Sequence, residues 1–189
     1  MTMAVMVRRY RFTVDEYERL AQARVLTQCD RTELLDGEIV EMTPIGDRHA
    51  SVVARLTSLF SRHLSDRSIV WAQNPIQLRA VRSMPQPDVV LVRPRADFYS
   101  TGKPGADDVL LLVEVMDTSS DTDRSVKLPL YARAGIAEVW LLDLTTDRVE
   151  IFRQPILAGY RAVEALERDE RLTPQAFPDL SLTVADLLG

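Results

Sequence analysis

The chain has 189 residues, 46% hydrophobic and 27% charged with both signs interspersed, which suits a globular protein that buries a real core and excludes a disordered polyelectrolyte. A formal net charge of −5 excludes a surface that attracts nucleic acid everywhere, while leaving room for a local basic groove. No run approaches the roughly 18 apolar residues that span a bilayer, the apolar stretch in Met1–Arg9 is too short for a secretory signal, and Cys29 is the only cysteine, so the cytoplasm is the expected compartment and any metal should be held by oxygen.

Thr13-Val14-Asp15-Glu16 reads as a capping box opening a helix through about Ala23. Arg31–Thr43 alternates around the turn dipeptide Asp36-Gly37, which predicts a β-hairpin ended by Pro44 and Gly46. From His49 to Leu64 the positions Val52, Val53, Leu56, Leu59, Phe60 and Leu64 recur at three and four, the mark of an amphipathic helix. Ser68–Leu78 predicts a strand, Asp88–Val92 a short one closed by Pro94, and the nearly continuous apolar run Val109–Val115 a central strand covered on both faces. Thr122–Gly135 predicts a helix ending at a glycine, in which Pro129 must either introduce a kink or mark the true first turn. Glu138–Asp143 and Arg148–Arg153 predict strands around the Thr145–Asp147 turn, Gly159–Leu166 another strand, and Leu182–Leu188 a terminal helix. No internal repeat or long linker divides the chain, so one α/β domain is expected, with a central mixed sheet flanked by helices.

Two acids stand out because each lies on an otherwise apolar strand. Period-two alternation groups Leu110, Leu112, Glu114 and Met116 on one face, and Asp88 opens its strand directly after Pro87. An unpaired buried carboxylate is expensive. A single one is explained by a salt bridge or a solvated strand end; two that converge form a site for a hard divalent ion such as Mg²⁺ or Mn²⁺. Of the 23 basic residues only Lys103 and Lys127 are lysines, so a lysine near such a site is informative, because its compact ammonium does chemistry that a guanidinium does poorly.

Pro87-Asp88 followed by Glu114 on the next apolar strand resembles the PD-(D/E)XK (restriction-endonuclease-like) nuclease superfamily. Its motif ends with a lysine two residues after the second acid, a position held here by Met116; the nearest candidate is Lys127 in the following helix. The ordered set Glu33–Glu38, Pro44-Ile45-Gly46 with His49, Gln86-Pro87-Asp88, Val113-Glu114-Val115, Asp123-Arg124 with Lys127 and Tyr131, and Glu138–Asp143 is similar to the Uma-two family of candidate restriction endonucleases, over roughly Thr13 to Tyr160. The resemblance implies one domain over 1–189, with a core of about 13–160 and a C-terminal extension of 161–189. It also implies a divalent-metal-dependent endonuclease acting on phosphodiester bonds, of DNA in the first instance, with Asp88, Glu114 and the Val115 carbonyl holding Mg²⁺ or Mn²⁺ and Lys127 orienting water or offsetting phosphate charge.

By the same analogy Glu38 is a candidate further ligand or general base. His49 could cap its helix, line the site or donate to a carboxylate, and Tyr131, one turn after Lys127, could pack in the core or meet a phosphate. Asp123 is expected to cap its helix, or else to contact Lys127 or the metal, Asp143 to be structural, Trp140 to lie in the core and His63 near the surface. A homodimer would suit an enzyme that cuts two strands. Against the nuclease stand hydrolysis of a smaller phosphoester and a catalytically inactive nuclease-fold interaction or regulatory module, which Met116 and the negative charge favour.

Overall fold

The computed structural model describes residues 9–27, 30–42, 44–117 and 123–189. Most of the Met1–Arg9 segment, Cys29, Thr43 and Thr122 therefore lie outside the described residues. Among those described, no helix is long and apolar enough to cross a membrane.

The capping box closes as its sequence dictates: Glu16 N donates to Thr13 Oγ1 at 3.2 Å and Thr13 N to Glu16 Oε2 at 2.9 Å, starting α1 (Val14–Gln22). Strands β1 (Thr32–Leu35) and β2 (Glu38–Glu41) pair antiparallel through Asp36-Gly37. The two turn residues have φ of 48° and 79°, as a type I′ turn requires, and a Cβ at Gly37 would come within 2.8 Å of Arg11 Cβ. Helix α2 (Asp47–His63) turns His49, Val52, Val53, Leu56, Leu59 and Phe60 inward. Burying each of its large apolar side chains stabilises the fold by about 1.5–3 kcal/mol.

Six strands form the central mixed sheet in the order β3 (Ile69–Ala72), β4 (Val89–Val92), β5 (Val109–Met116), β6 (Glu138–Asp143), β7 (Arg148–Ile156) and β8 (Gly159–Leu166). Only β5 and β6 run parallel, so the chain must cross over between them, and α3 (Leu128–Arg133) makes that crossing. Leu111, Val113, Val115, Trp140 and Leu142 on one sheet face pack with α2 and with α4 (Val184–Leu188). Leu112, Met116, Val139 and Leu141 on the other pack with Leu128, Leu130 and Tyr131 of α3. A third cluster joins Val14 and Tyr17 of α1 to Leu34 and Met84.

Several expectations are corrected. The strand expected over Ser68–Leu78 stops at Ala72, because Gln73 turns to a left-handed φ of 49°. Leu110 does not share a face with Leu112: it packs with the α2-side cluster, since pairing jumps from Leu91↔Leu111 to Val92↔Val109 and leaves Leu110 as the extra residue. The single helix expected over Thr122–Gly135 divides into a π-helical turn at Asp123–Lys127 and then α3. Pro129 marks the first turn of α3, where its missing N–H is not needed, and Gly135 ends the segment at φ 81°. The strand expected to end at Arg153 runs to Ile156. At the C-terminus, Leu182–Thr183 is not helical but forms a short strand, β10, paired with β9 (Arg171–Leu172).

Candidate active site

A cleft of about 380 Å³ opens where the ends of β4 and β5 meet the start of α2 and the hairpin, with Glu33, His49, Gln86, Asp88, Glu114 and Lys127 in its wall. Pro87 cannot donate to a ladder, so β4 begins only after Asp88, and the freed Asp88 N–H donates to Glu114 Oε2 at 3.2 Å. The Asp88 carboxylate is held from two sides: Val115 N donates to Oδ2 at 2.8 Å, and His49 Nε2 lies 3.0 Å from the same oxygen. Asp88 Oδ1 meets no hydrogen-bond partner among the described residues. Glu114 is 2% exposed, and its Oε1 receives the Tyr131 hydroxyl at 2.5 Å and faces Lys127 Nζ at 3.4 Å.

Lys127 is placed by the wide turn that precedes α3. Its ammonium lies 3.2 Å from Glu33 Oε1, 3.4 Å from Glu114 Oε1 and 3.3 Å from Asp123 Oδ1. Glu33 reaches this position because Leu34 is bridged to Met84, which brings β1 beside the segment leading into β4, where Gln86 N donates to Glu33 Oε1 at 2.7 Å. Burial alone would lower the pKa of Lys127, but the charges of Glu114, Glu33 and Asp123 outweigh it and raise the pKa, so the ammonium stays charged. Burial raises the pKa of Glu114 well above the usual carboxylate range; the charges of Asp123 and Asp88 add to this, and Lys127 opposes it. Asp123 is raised by burial in the same way, against the pull of Lys127. Three carboxylates thus surround one cation, with Asp88 beside them in the same cleft, and the imbalance favours either protons or an added cation.

For His49, burial works to lower the pKa, but the bond to Asp88 and the charges of Asp88, Asp123 and Asp117 raise it overall. Its Nδ1 is buried without a partner among the described residues. Tyr131, fully buried, has its pKa raised well above normal by burial and then by the Glu114 charge; its hydroxyl steadies Glu114 from the core side and lies outside the cleft wall.

The structure therefore brings Asp88, Glu114, Val115, Lys127 and His49 to one cleft, with Tyr131 directly behind it. It does not bring Glu38 there. Glu38 shares a hairpin face with the cleft residues Glu33 and Val40, but it stands at the turn end opposite Leu35, where it pairs with Arg11 at 3.3 Å and Arg9 at 3.8 Å. Its place is taken by Glu33, and Gln86, Asp117 and Asp123 also line the cleft. Glu33 carried the same signal as Glu114, an acid beside apolar strand residues, but needed the Leu34–Met84 bridge to acquire its meaning.

That signal also has an instance away from the cleft. Glu138 on β6 is 1% exposed yet fully met within the fold, by Trp140 Nε1 at 2.9 Å, Arg153 Nη2 at 2.6 Å and Gln175 N at 2.6 Å. Trp140 is core, Asp143 caps the Thr145–Thr146 turn, and His63 is exposed.

Residues 14–185 match the Uma2 family, described as "Putative restriction endonuclease". A crystal structure from Anabaena variabilis ATCC 29413, described as a "putative nuclease belonging to DUF820", has a similar fold at a TM-score of 0.73 and 17% identity, over 94% of this chain and 97% of that one. No curated protein matches. The fold is restriction-endonuclease-like.

Proposed function

This chain belongs to the Uma2 family, and we propose that it is a divalent-metal-dependent endonuclease that hydrolyses phosphodiester bonds, of DNA in the first instance, in the cleft around Asp88 and Glu114. The observation that carries the proposal is the excess of carboxylate there: Glu33, Glu114 and Asp123 surround Lys127, Asp88 lines the same cleft, and among the described residues Lys127 is the only lysine or arginine in the cleft wall. Among the described residues no group of three or more His, Cys, Asp or Glu forms an all-protein metal cage. Two carboxylates with one backbone carbonyl nevertheless fit Mg²⁺, which keeps several waters and takes one or two protein carboxylates plus substrate phosphates.

Asp88, Glu114 and the Val115 carbonyl would hold the ion, which when bound polarises the scissile phosphate and lowers the pKa of the attacking water. The chain's own groups prepare that arrangement. Val115 N and His49 fix Asp88 through Oδ2, so that Oδ1 has no hydrogen-bond partner among the described residues, while Tyr131 orients Glu114 from behind. The Lys127 ammonium stands beside Glu114 Oε1, where it can offset charge that grows on a phosphate oxygen. In this proposal the enzyme works in the cytoplasm, and a homodimer would bring two clefts to the two strands of a duplex.

Titration calorimetry with Mg²⁺ and Mn²⁺, alongside cleavage of plasmid DNA, tests the proposal. Asp88→Asn and Glu114→Gln are each expected to weaken metal binding by on the order of tenfold or more and to abolish cleavage. Parent-like metal binding and cleavage in both variants would overturn it. Met116, buried at the position where the superfamily motif carries its lysine, favours a second function, a catalytically inactive interaction module; metal binding without cleavage by the parent would select it.

A further inference from the structure

Beside the acidic cleft lies a second and larger groove, of about 1100 Å³, between the end of α1, the start of β1 and the turn after β3. Met42 and Gln86 belong to the walls of both, so the two spaces adjoin. Their charges are opposite. The cleft wall carries Glu33, Glu41, Asp88, Glu114, Asp117 and Asp123 against Lys127, whereas the groove wall carries Arg24, Arg31 and Lys103 against Glu18. Glu18 Oε1 is taken by Lys103 Nζ at 2.7 Å and Gln77 Nε2 at 2.9 Å. Arg24 and Arg31 are exposed, and their guanidinium groups meet no hydrogen-bond or ion-pair partner among the described residues. Arg9, Arg11, Arg48, Arg67, Arg79 and Arg95 are paired with acids, whereas Arg62, Arg82 and Arg161 form no ion pair among the described residues either, so Arg24 and Arg31 are set apart by lining this groove together.

Backbone conformation marks the same place. Arg24, Arg31 and Gln73 adopt left-handed φ of 57°, 41° and 49°, a conformation that costs a non-glycine residue of order 1 kcal/mol or more. All three line this groove. The groove offers no stacking platform for unpaired bases: its aromatic side chain, Tyr17, is buried with its hydroxyl on the Thr32 carbonyl oxygen at 2.8 Å. What it offers is unpaired guanidinium beside a site too acidic to hold a polyanion unaided.

We propose that this groove holds the phosphate backbone of a DNA duplex flanking the scissile bond, with Arg24 and Arg31 as its phosphate-contacting residues. The groove is distinct from the metal-holding carboxylates, although the inference rests on the nuclease function proposed above. Its role is positioning: the arginines draw the polyanion to the edge of a cleft that would repel it, and Gln86 marks where the backbone passes from one space to the other.

Fluorescence anisotropy of a fluorescein-labelled random-sequence DNA duplex, measured over a salt series with EDTA present, tests this without requiring cleavage. The Arg24→Gln/Arg31→Gln double variant is expected to bind on the order of tenfold more weakly than the parent at low salt, with the slope of log K against log[salt] reduced by about one per arginine. Arg161→Gln, at an exposed site on β8, should leave both unchanged. Asp88→Asn should bind at least as tightly as the parent, having lost an acid from the cleft. The inference is overturned if the double variant keeps the parent's affinity and salt slope, or if the parent binds no duplex. Parent-like binding by the double variant together with lost cleavage in Asp88→Asn would remove the groove alone. The expected groove defect together with full cleavage by Asp88→Asn would instead remove the metal-site function and leave the groove standing.

Discussion

Lys127→Met isolates the interaction on which the cleft depends. Lys127 is 7% exposed, and its ammonium lies within 3.4 Å of carboxylate oxygens from Glu33, Glu114 and Asp123. Methionine fills nearly the same volume, so the loss is one of charge and not of packing. Removing one partner of a buried ion pair costs about 3–5 kcal/mol, because the charge left behind is uncompensated. In a chain of this size that corresponds to a fall in Tm of about 6–20 °C. The cost must depend on pH in a definite direction. The folded pKa of Lys127 is raised, so its stabilising contribution is complete below the unfolded lysine pKa of about 10.4 and is lost only above that. In the variant, Glu114 and Asp123, already raised by burial, can take up protons as pH falls toward the unfolded carboxylate range of about 4. The penalty should therefore be full at mildly alkaline pH and shrink on acidification. Urea unfolding of parent and variant across that range, free of metal, measures it. Equal stability of the two at alkaline pH, or a penalty that does not shrink in acid, would refute the account of Lys127 as the cation of this cluster. Cleavage should fall by about two or more orders of magnitude, and Lys127→Arg should rescue it poorly, since a planar fork does not fit among three converging carboxylates.

The metal-free protein should show His49 titrating above the ordinary histidine value, and NMR of its ring protons should place it there; a value at or below about 6.5 would contradict the Asp88 bond. Because that folded pKa is raised, the stability gap between parent and His49→Phe should be widest below about pH 6.5 and close as pH rises through the folded value. Glu138→Gln should destabilise by about 3 kcal/mol, as Arg153 loses its buried partner, while leaving metal affinity unchanged; a loss of metal binding would mean that the two buried acids on parallel strands are not separate in function.

Most elements were legible from local physics. Capping at Thr13, the Asp36-Gly37 turn, the three-and-four spacing of α2 and the apolar runs of β4 and β5 each determine their own structure within a few residues, because caps, turns and periodic burial are local demands on the chain. Asp88 and Glu114 could be singled out for the same reason: a carboxylate amid apolar strand residues needs a partner wherever the strand ends up. What that partner is could not be read locally. Glu114 and Glu138 look alike in sequence, and only the tertiary fold gives one a cleft and Lys127, the other Arg153 and the C-terminal segment. Glu38 and Glu33 share one face of the hairpin and are distinguished by their place along it: the Leu34–Met84 bridge brings Glu33 beside the segment leading into β4, while Glu38 stays at the turn end with Arg9 and Arg11. The bulge at Leu110, the π-helical turn before α3 and the adjoining basic groove were likewise decided by tertiary structure, since each depends on how segments far apart in sequence are brought into register, and register is set by packing rather than by the residues of either segment alone.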